Sequence, residues 1–304
     1  MNDRHFKYIL EIVKEGSVTA AAENLHISQP SLSNLLATVE DEIGARIFDR
    51  TVIPLSLTYE GELYVEAVTK ILGMLRDFQT KINDMKESIS GRFSIGCGYQ
   101  QSPYIISTLF PVLTEKYPAV EFKFEEQQNP DHLEEFLLRG MLDAVLCIGK
   151  INNTNVECLP IRKEAILLLA PGDFIPSKLR HTKGREYPLV DFALLKEKNF
   201  VLMKKGHRLR VLQDTILKDN GCIPNIVLET DSWLTCLRLV ERGVAFTLLP
   251  NIKSETARTQ AISYSLNGDY WWTLYLCYRK NAYYSRIMDG FVKTTLNLFS
   301  DPAP

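Results

Sequence analysis

The chain has 304 residues, of which 45% are hydrophobic and 24% are charged, and a formal net charge of −2. These values exclude a disordered chain, because the apolar side chains are numerous enough to form a core, and the length favours two domains over one. A transmembrane helix is also excluded, because the longest uninterrupted apolar stretch, residues 165–170, is far shorter than the roughly 18 residues that a span needs.

Residues 1–14 do not read as a signal peptide, because charged side chains interrupt every apolar run. We therefore expect a cytoplasmic protein. The six cysteines include no Cys-x-x-Cys pair, and no cysteine or histidine cluster has the spacing of a metal site. They are expected to be small buried apolar residues, and neither a metal nor another cofactor is predicted.

Three short helices are predicted at the amino end. Apolar residues repeat at helical spacing up to Gly16, which ends the first helix. Ser17 is the predicted N-cap of a second helix over Val18–Asn24, and Ser28 is that of a third helix, whose first turn contains Pro30. The tight connection between the second and third helices is typical of a helix-turn-helix.

The tip of the third helix is polar but uncharged, which suits the reading of DNA. Glutamine and asparagine can each form two hydrogen bonds with an adenine edge in the major groove. Two short strands, residues 47–50 and 55–58, are predicted to form a wing, from which arginine can reach a phosphate or the minor groove. The pattern alone also fits a helical bundle with solvated polar residues. The candidate DNA-binding residues are Ser28, Gln29, Pro30, Ser31, Ser33, Asn34, Arg46 and Arg50.

Five segments of the first sixty or so residues occur in a specific order and spacing: AAENLHISQPSLS at 21–33, VE at 39–40, IG at 43–44, IFDR at 47–50 and LTYEG at 57–61. Together they closely resemble the LysR-type transcriptional regulators. The resemblance implies a winged helix-turn-helix over residues 1–59, a dimerisation helix over 60–90 and an effector-binding domain over 91–304. It implies a DNA-binding transcription regulator rather than an enzyme.

The charge of the first domain is unusual for a DNA-binding protein. Residues 1–58 contain five Lys or Arg and eight Asp or Glu, a net charge of −3, whereas a basic patch is the usual electrostatic footprint. We therefore expect few phosphate contacts and a shallow salt dependence per subunit, since each neutralised phosphate contributes roughly −0.9 to the slope. Affinity is expected to depend on several subunits bound together.

One long helix is predicted between residues 60 and 90. Its apolar residues are spaced alternately by three and four, which is the heptad pattern of a paired helix. Pairing between chains is favoured, and packing against the chain's own domain is the alternative. A two-fold dimer predicts an inverted-repeat operator, and the resemblance adds association into tetramers. The predicted dimerisation residues are Val68, Ile71, Leu75, Phe78, Ile82, Met85 and Ile89.

Strands and helices alternate after residue 91, which predicts an α/β domain with a parallel-type sheet. The order indicates two lobes, residues 91–161 with 268–304 and residues 162–267, with a chain crossing near residues 161–164. This domain resembles the effector-binding domain of the same family, which is similar to periplasmic solute-binding proteins. Ligands in such folds bind in the cleft at the carboxyl ends of strands.

Polar residues that follow predicted strands or precede predicted helices are the candidate effector ligands. The alternative is that they are loop residues and helix caps without a ligand. Two lysines and a histidine near one helix start, Lys204, Lys205 and His207, indicate an anionic effector such as a carboxylate. The candidates are Tyr99, Gln100, Gln101, Ser102, Gln128, Cys147, Lys204, Lys205, His207, Thr230, Trp233 and Thr247.

Two other functions are disfavoured. Peroxide-sensing members of the resembled family have a cysteine in a Gly-His-Cys-Leu-Arg stretch, but residues 206–210 read Gly-His-Arg-Leu-Arg. No nucleophile elbow, phosphate loop or zinc-protease motif is present to indicate an enzyme. The remaining alternative is a sensory or solute-binding protein whose acidic first domain binds another protein. For a regulator, the expected partners are double-stranded DNA, a small effector and RNA polymerase, with no membrane.

Overall fold

The computed structural model describes residues 2–85, 89–127, 130–176, 186–251 and 260–299. The first domain contains the three predicted helices and the predicted wing, followed by the long helix. Its elements are α1 (Asp3–Glu15), α2 (Val18–Asn24), α3 (Gln29–Ile43), β1 (Phe48–Asp49), β2 (Ser56–Leu57) and α4 (Tyr59–Asp84).

The helix ends of this domain follow from local chemistry. The side-chain oxygens of Ser17, Ser28 and Thr58 each accept the backbone N–H three residues further on, at the starts of α2, α3 and α4. Gly16 and Gly44 end α1 and α3 in the left-handed conformation, with φ of 61° and 72°. The predicted helix ends at Gly16, Ser17, Ser28 and Gly44 are therefore confirmed.

The long helix α4 belongs to two packing environments. Its first half packs on the first domain, where Tyr64, Val65 and Val68 join the apolar core. The structure ends the helix at Asp84, with Met85 as its C-cap, rather than at residue 90 as predicted. Among the described residues, no helix is long and apolar enough to cross a membrane.

The second domain is α/β, and its main sheet is mixed rather than purely parallel. Its elements are β3 (Gly91–Gly98), α5 (Ser102–Lys116), β4 (Val120–Gln127), α6 (Pro130–Leu138), β5 (Ala144–Ile148), β6 (Val156–Ala170), a 3-10 turn (Phe192–Leu195), β7 (Asn199–Met203), α7 (Arg208–Asp219), β8 (Asn225–Thr230), α8 (Trp233–Glu241), β9 (Thr247–Pro250), β10 (Ile262–Ser265), β11 (Trp271–Arg279) and α9 (Arg286–Phe299). Seven strands of the described residues form the main sheet in the order β10-β6-β11-β5-β3-β4, with β9 also paired to β6, and β7 and β8 form a separate parallel pair. Strand β3 is parallel to β4 and β5, whereas β11 is antiparallel to β5 and β6.

Strand β6 passes between two apolar cores without a break. Its beginning pairs with β11, and its end pairs with β9 and β10. At the predicted crossing near residues 161–164, the pairing of β6 with β11 shifts by one residue. Leu274 pairs with Arg162 and the next residue, Tyr275, pairs with Pro160, so that Ile161 has no partner in the ladder. Such a bulge bends a strand and increases its twist. One core surrounds Phe93 and Phe291 and the other surrounds Phe200.

Candidate functional site

The amino end of α3 presents the predicted polar tip to solvent. The opposite face of the helix is buried in the domain core, which fixes the orientation of this tip. Gln29 donates from Nε2 to Oγ of Ser33 at 2.8 Å, and the hydroxyls of Ser28 and Ser31 lie 2.7 Å apart. Of the α3 candidates, Ser33 is half-buried and five are exposed: Ser28, Gln29, Pro30, Ser31 and Asn34.

Glu40 joins this helix to the wing, a role that the sequence did not predict. Its Oε1 accepts the backbone N–H of Ile47 at 2.8 Å and that of Phe48 at 3.4 Å, and its Oε2 accepts from Arg50 at 2.9 Å. Glu40 is only 7% exposed, whereas the Arg50 side chain is 51% exposed. Arg50 is thus held at the wing with part of its guanidinium facing solvent, and Arg46 is exposed in the turn before the wing.

A cleft of about 520 Å³ lies where the carboxyl ends of β3, β5 and β7 meet the starts of α7 and α8. The structure brings seven of the predicted effector residues together there. They are Tyr99, Gln100, Gln101, Cys147, Lys205, His207 and Trp233. Gln127, Asp231 and Ser232, which also lie at or just after strand ends, line the cleft as well, and so do Arg208 and Trp272, which were not predicted.

Four predicted effector residues do not line this cleft, and each correction has a physical reason. Thr247 is fully buried in β9, where its hydroxyl donates to the carbonyl of Val201 at 2.8 Å. Ser102 is buried as well, and its hydroxyl donates to the carbonyl of Tyr99. Hydrogen bonds within the chain also engage the side chains of Thr230 and Lys204. The prediction for Gln128 lies outside the described residues.

Within the described part of the chain, three hydrogen bonds join the two sides of the cleft. The Gln100 side chain donates to the carbonyl of Asp231 at 2.5 Å, and the Trp233 indole donates to the carbonyl of Gln100 at 3.1 Å. Arg208 donates to the carbonyl of Ile148. Gly149 has a φ of 76°, and a Cβ there would lie 2.6 Å from the Arg208 guanidinium, so glycine allows this approach.

The positive charge predicted for the cleft is partly neutralised. Asp231 pairs with Lys204, and its Oδ1 lies 3.0 Å from Nε2 of His207. These hydrogen bonds from Lys204 and His207 hold the pKa of Asp231 below its usual value. Among the described residues that line the cleft, the cations that remain for an anion are Lys205 and Arg208, both exposed. An arginine at a helix start is the signal by which the sequence could have identified Arg208.

The predicted dimerisation residues divide into two groups. Val68, at 2% exposure, is buried in the core of the first domain, so its side chain is not available to a partner helix and its prediction was wrong. Ile89 lies beyond the end of α4 and packs, partly buried, against the core around Phe93. The others form an exposed apolar stripe on α4, from 42% exposure at Ile71 to 83% at Met85. This stripe consists of Ile71, Leu75, Phe78, Ile82 and Met85.

The second half of α4 is fastened to the second domain by charged groups. The Arg279 guanidinium donates two hydrogen bonds to the Asp77 carboxylate, from Nη2 to Oδ1 at 3.0 Å and from Nη1 to Oδ2 at 3.3 Å. Arg76 donates to the carbonyls of Gly140 and Met141, at 2.7 and 2.5 Å. Nearby, burial raises the pKa of Asp143, which accepts a hydrogen bond from the backbone of Ser94. These contacts can therefore transmit a movement of the second domain to α4.

Comparisons with known proteins agree with this architecture. Residues 4–62 match "Bacterial regulatory helix-turn-helix protein, lysR family", and residues 86–299 match "LysR substrate binding domain". The HTH-type transcriptional regulator YcgK of Bacillus subtilis is 26% identical over 304 residues, 96% of this chain and 93% of that protein.

Two solved structures share the fold over nearly the whole chain. A full-length OxyR variant from Pseudomonas aeruginosa is 24% identical, with a TM-score of 0.70 and coverage of 100% of this chain and 99% of that one. CbnR in complex with its target DNA is 19% identical, with a TM-score of 0.66 and coverage of 98% and 99%.

Proposed function

Because this chain belongs to the LysR family of DNA-binding transcriptional regulators, we propose that the amino end of α3 and the wing read an inverted-repeat operator. The observation that carries this proposal is the exposed polar tip of α3, on the same helix whose Glu40 holds Arg50 at the wing. The family match of residues 4–62 argues against the alternative of a first domain that binds only protein. We further propose a cytoplasmic location, where the regulator reaches the chromosome.

A footprint on the DNA upstream of its own gene and of the divergent neighbour tests this proposal. We expect a protected inverted repeat, weakened roughly 10- to 100-fold by Gln29→Ala, because a lost side-chain contact to a base edge costs about 1–3 kcal/mol. Arg50→Ala is expected to weaken all sequences alike, because a phosphate contact carries no sequence information. Thr38→Ala, exposed further along α3, is the matched control. Absence of protection at low salt, also on a genomic pool, contradicts the proposal.

We propose that α4 pairs with a second copy of itself through the exposed stripe at 71, 75, 78, 82 and 85. Large apolar side chains in one row on a helix favour burial against a partner. A two-fold pair of this kind presents two recognition helices, which matches an inverted repeat. Further association into a tetramer would raise the avidity for DNA, which would offset the few phosphate contacts expected of each acidic first domain.

We propose that the effector is a small carboxylate that binds between Lys205 and Arg208. An anion is favoured because these two cations face the cleft and Asp231 is already neutralised by its own partners. The aromatic rings of Tyr99, Trp233 and Trp272 supply apolar surface. By linkage, such a ligand acts only by binding one arrangement of the domain better than another. The change in the arrangement of the second domain would be transmitted through α4 to the bound DNA and to RNA polymerase.

Arg208→Ala is expected to weaken carboxylate binding roughly tenfold or more, because it removes a charge-assisted hydrogen bond. Lys218→Ala, at the far end of α7 and outside the cleft, is the control and is expected to change it little. The measurement is a thermal-shift titration with aliphatic and aromatic mono- and dicarboxylates, with the matching amides as uncharged ligands. Equal stabilisation by acids and amides would contradict an anionic effector.

A further inference from the structure

Three cysteines from three adjacent strands meet beside the cleft. They are Cys147 on β5, Cys158 on β6 and Cys277 on β11, and all three are free thiols. Sγ of Cys277 lies 3.1 Å from Sγ of Cys158 and 3.9 Å from Sγ of Cys147. Cys277 is 130 residues from Cys147 and 119 from Cys158 in the sequence, so the spacing does not reveal this cluster. The cluster arises because β11 pairs with both β5 and β6.

The register of the sheet makes one pair competent for a disulfide. Cys158 and Cys277 are direct partners in the antiparallel ladder of β6 and β11. Cα atoms of directly opposed residues lie about 4.5–5.5 Å apart, within the roughly 4.4–6.8 Å found in disulfides. The two sulfurs can therefore bond through side-chain rotation with little change in the backbone.

The third cysteine connects this pair to the cleft. Cys147 is 5% exposed, and it lines the cleft near Arg208. Hydrogen bonding with Cys277 and the guanidinium of Arg208 lower the pKa of Cys147, against the effect of burial. Its contact with Cys147 and its burial raise the pKa of Cys277. Cys147 is thus the member of the cluster best placed to react as a thiolate.

We propose that Cys147, Cys277 and Cys158 form a thiol relay that reacts with hydrogen peroxide and ends as a Cys158–Cys277 disulfide. The relay lies on β5, β6 and β11, apart from the position at residue 208 where peroxide-sensing relatives have cysteine and this chain has arginine. It is additional to the effector function, because it needs no ligand in the cleft.

The steps balance as follows for one molecule of hydrogen peroxide. The Cys147 thiolate attacks one peroxide oxygen, the O–O bond breaks, Cys147 becomes a sulfenic acid and hydroxide leaves. Sγ of Cys277 attacks Sγ of Cys147, and the sulfenic oxygen leaves as water with the Cys277 proton. Cys158 then attacks Cys277 and releases the Cys147 thiolate, and its proton converts the hydroxide to water. Two thiols are oxidised to one disulfide, and peroxide is reduced to two waters.

The proposed Cys158–Cys277 disulfide lies close to the contact between β11 and α4. Two residues after Cys277, the same strand carries Arg279, whose guanidinium holds Asp77 of α4. A covalent bond between β6 and β11 at this place restrains the strand that contacts α4. We expect oxidation to change operator affinity through this contact, by a route that bypasses the cleft.

The test uses the reduced full-length protein, treated with hydrogen peroxide and then denatured for thiol counting and disulfide mapping by mass spectrometry. The expected result is loss of two of the six thiols, a mapped Cys158–Cys277 bond, and recovery with dithiothreitol. Cys147→Ser is expected to slow the loss roughly tenfold or more, because it removes the reacting thiolate. Cys277→Ser is expected to leave Cys147 as a sulfenic acid that dimedone traps.

Cys222→Ser and Cys236→Ser are the controls, because these buried cysteines lie in the other core, and both are expected to oxidise as the unmodified protein does. Cys147→Ala accompanies Cys147→Ser, so that a fold disturbed by the hydroxyl is recognised by circular dichroism. No thiol loss under excess peroxide, a bond that involves Cys222, or an unchanged rate in folded Cys147→Ala would overturn the relay. These readouts involve neither DNA nor effector, so their failure would leave the regulatory function intact.

Discussion

Glu40→Ala is expected to remove high-affinity operator binding and to lower the stability of the first domain by about 2–4 kcal/mol. The carboxylate of Glu40 is buried, and it accepts from two backbone N–H groups at the start of the wing and from Arg50. Alanine leaves those two backbone donors without their acceptor in a dry environment, which is the costly way to lose a hydrogen bond. The wing and Arg50 then lose their fixed position beside α3.

Hydrogen exchange of the amides of Ile47 and Phe48 measures this effect locally, alongside an operator titration. Glu40→Gln is the informative second variant, because its amide oxygen can replace Oε1 as the acceptor of both backbone N–H groups, whereas the ion pair with Arg50 is lost. We expect its operator affinity and amide protection to lie between those of the unmodified protein and Glu40→Ala. Asp41→Ala, on the exposed neighbouring position, is the control. Unchanged protection of both amides in Glu40→Ala would show that Glu40 does not hold the wing.

Phe78→Asp is expected to separate the proposed α4 pair and to reduce operator affinity roughly 10²- to 10⁴-fold, because the second half-site is then no longer bound at high effective concentration. Phe78 is 60% exposed at the middle of the apolar stripe. A carboxylate at this position would have to be desolvated on pairing, which is unfavourable without a cation beside it.

Sedimentation velocity at micromolar concentration gives the oligomeric state, and a binding titration on a full and a half operator gives the avidity. Phe78→Leu keeps an apolar side chain and is expected to remain paired. Gln79→Asp adds the same charge to the adjacent exposed residue, and a small effect is expected. If Phe78→Asp sediments as the unmodified protein does, the subunits associate through another surface.

The helix-turn-helix was predictable because its signals are local. Ser17, Ser28 and Gly16 mark helix ends within one turn of the residues that they cap, so no distant contact was needed. The stripe on α4 shows where this reasoning fails. Val68 and Leu75 lie seven residues apart at equivalent places in the heptad repeat, yet Val68 is buried by its own domain and Leu75 is 44% exposed. Burial within a chain and burial between chains require the same apolar spacing.

The cleft was predictable only in outline, because its lining depends on strand pairing. Residues after β3 and before α7 were found by their positions at element ends, and seven of the selected side chains do line the cleft. Thr247 was misplaced because a threonine inside a strand looks the same whether its hydroxyl meets a ligand or the carbonyl of Val201. The contacts of Glu40 and of the three cysteines follow from tertiary register, which one sequence does not display.

The bulge between β6 and β11 determines how the second domain can respond to a bound molecule. Both strands continue through it, so the two cores are joined by a hydrogen-bonded pair of strands and not by a flexible linker. We expect reorientation of the two cores to take the form of torsion spread over several residues near the bulge, because the ladder is locally disrupted there. Such torsion would reverse when the ligand leaves, so that resetting the regulator would require no refolding.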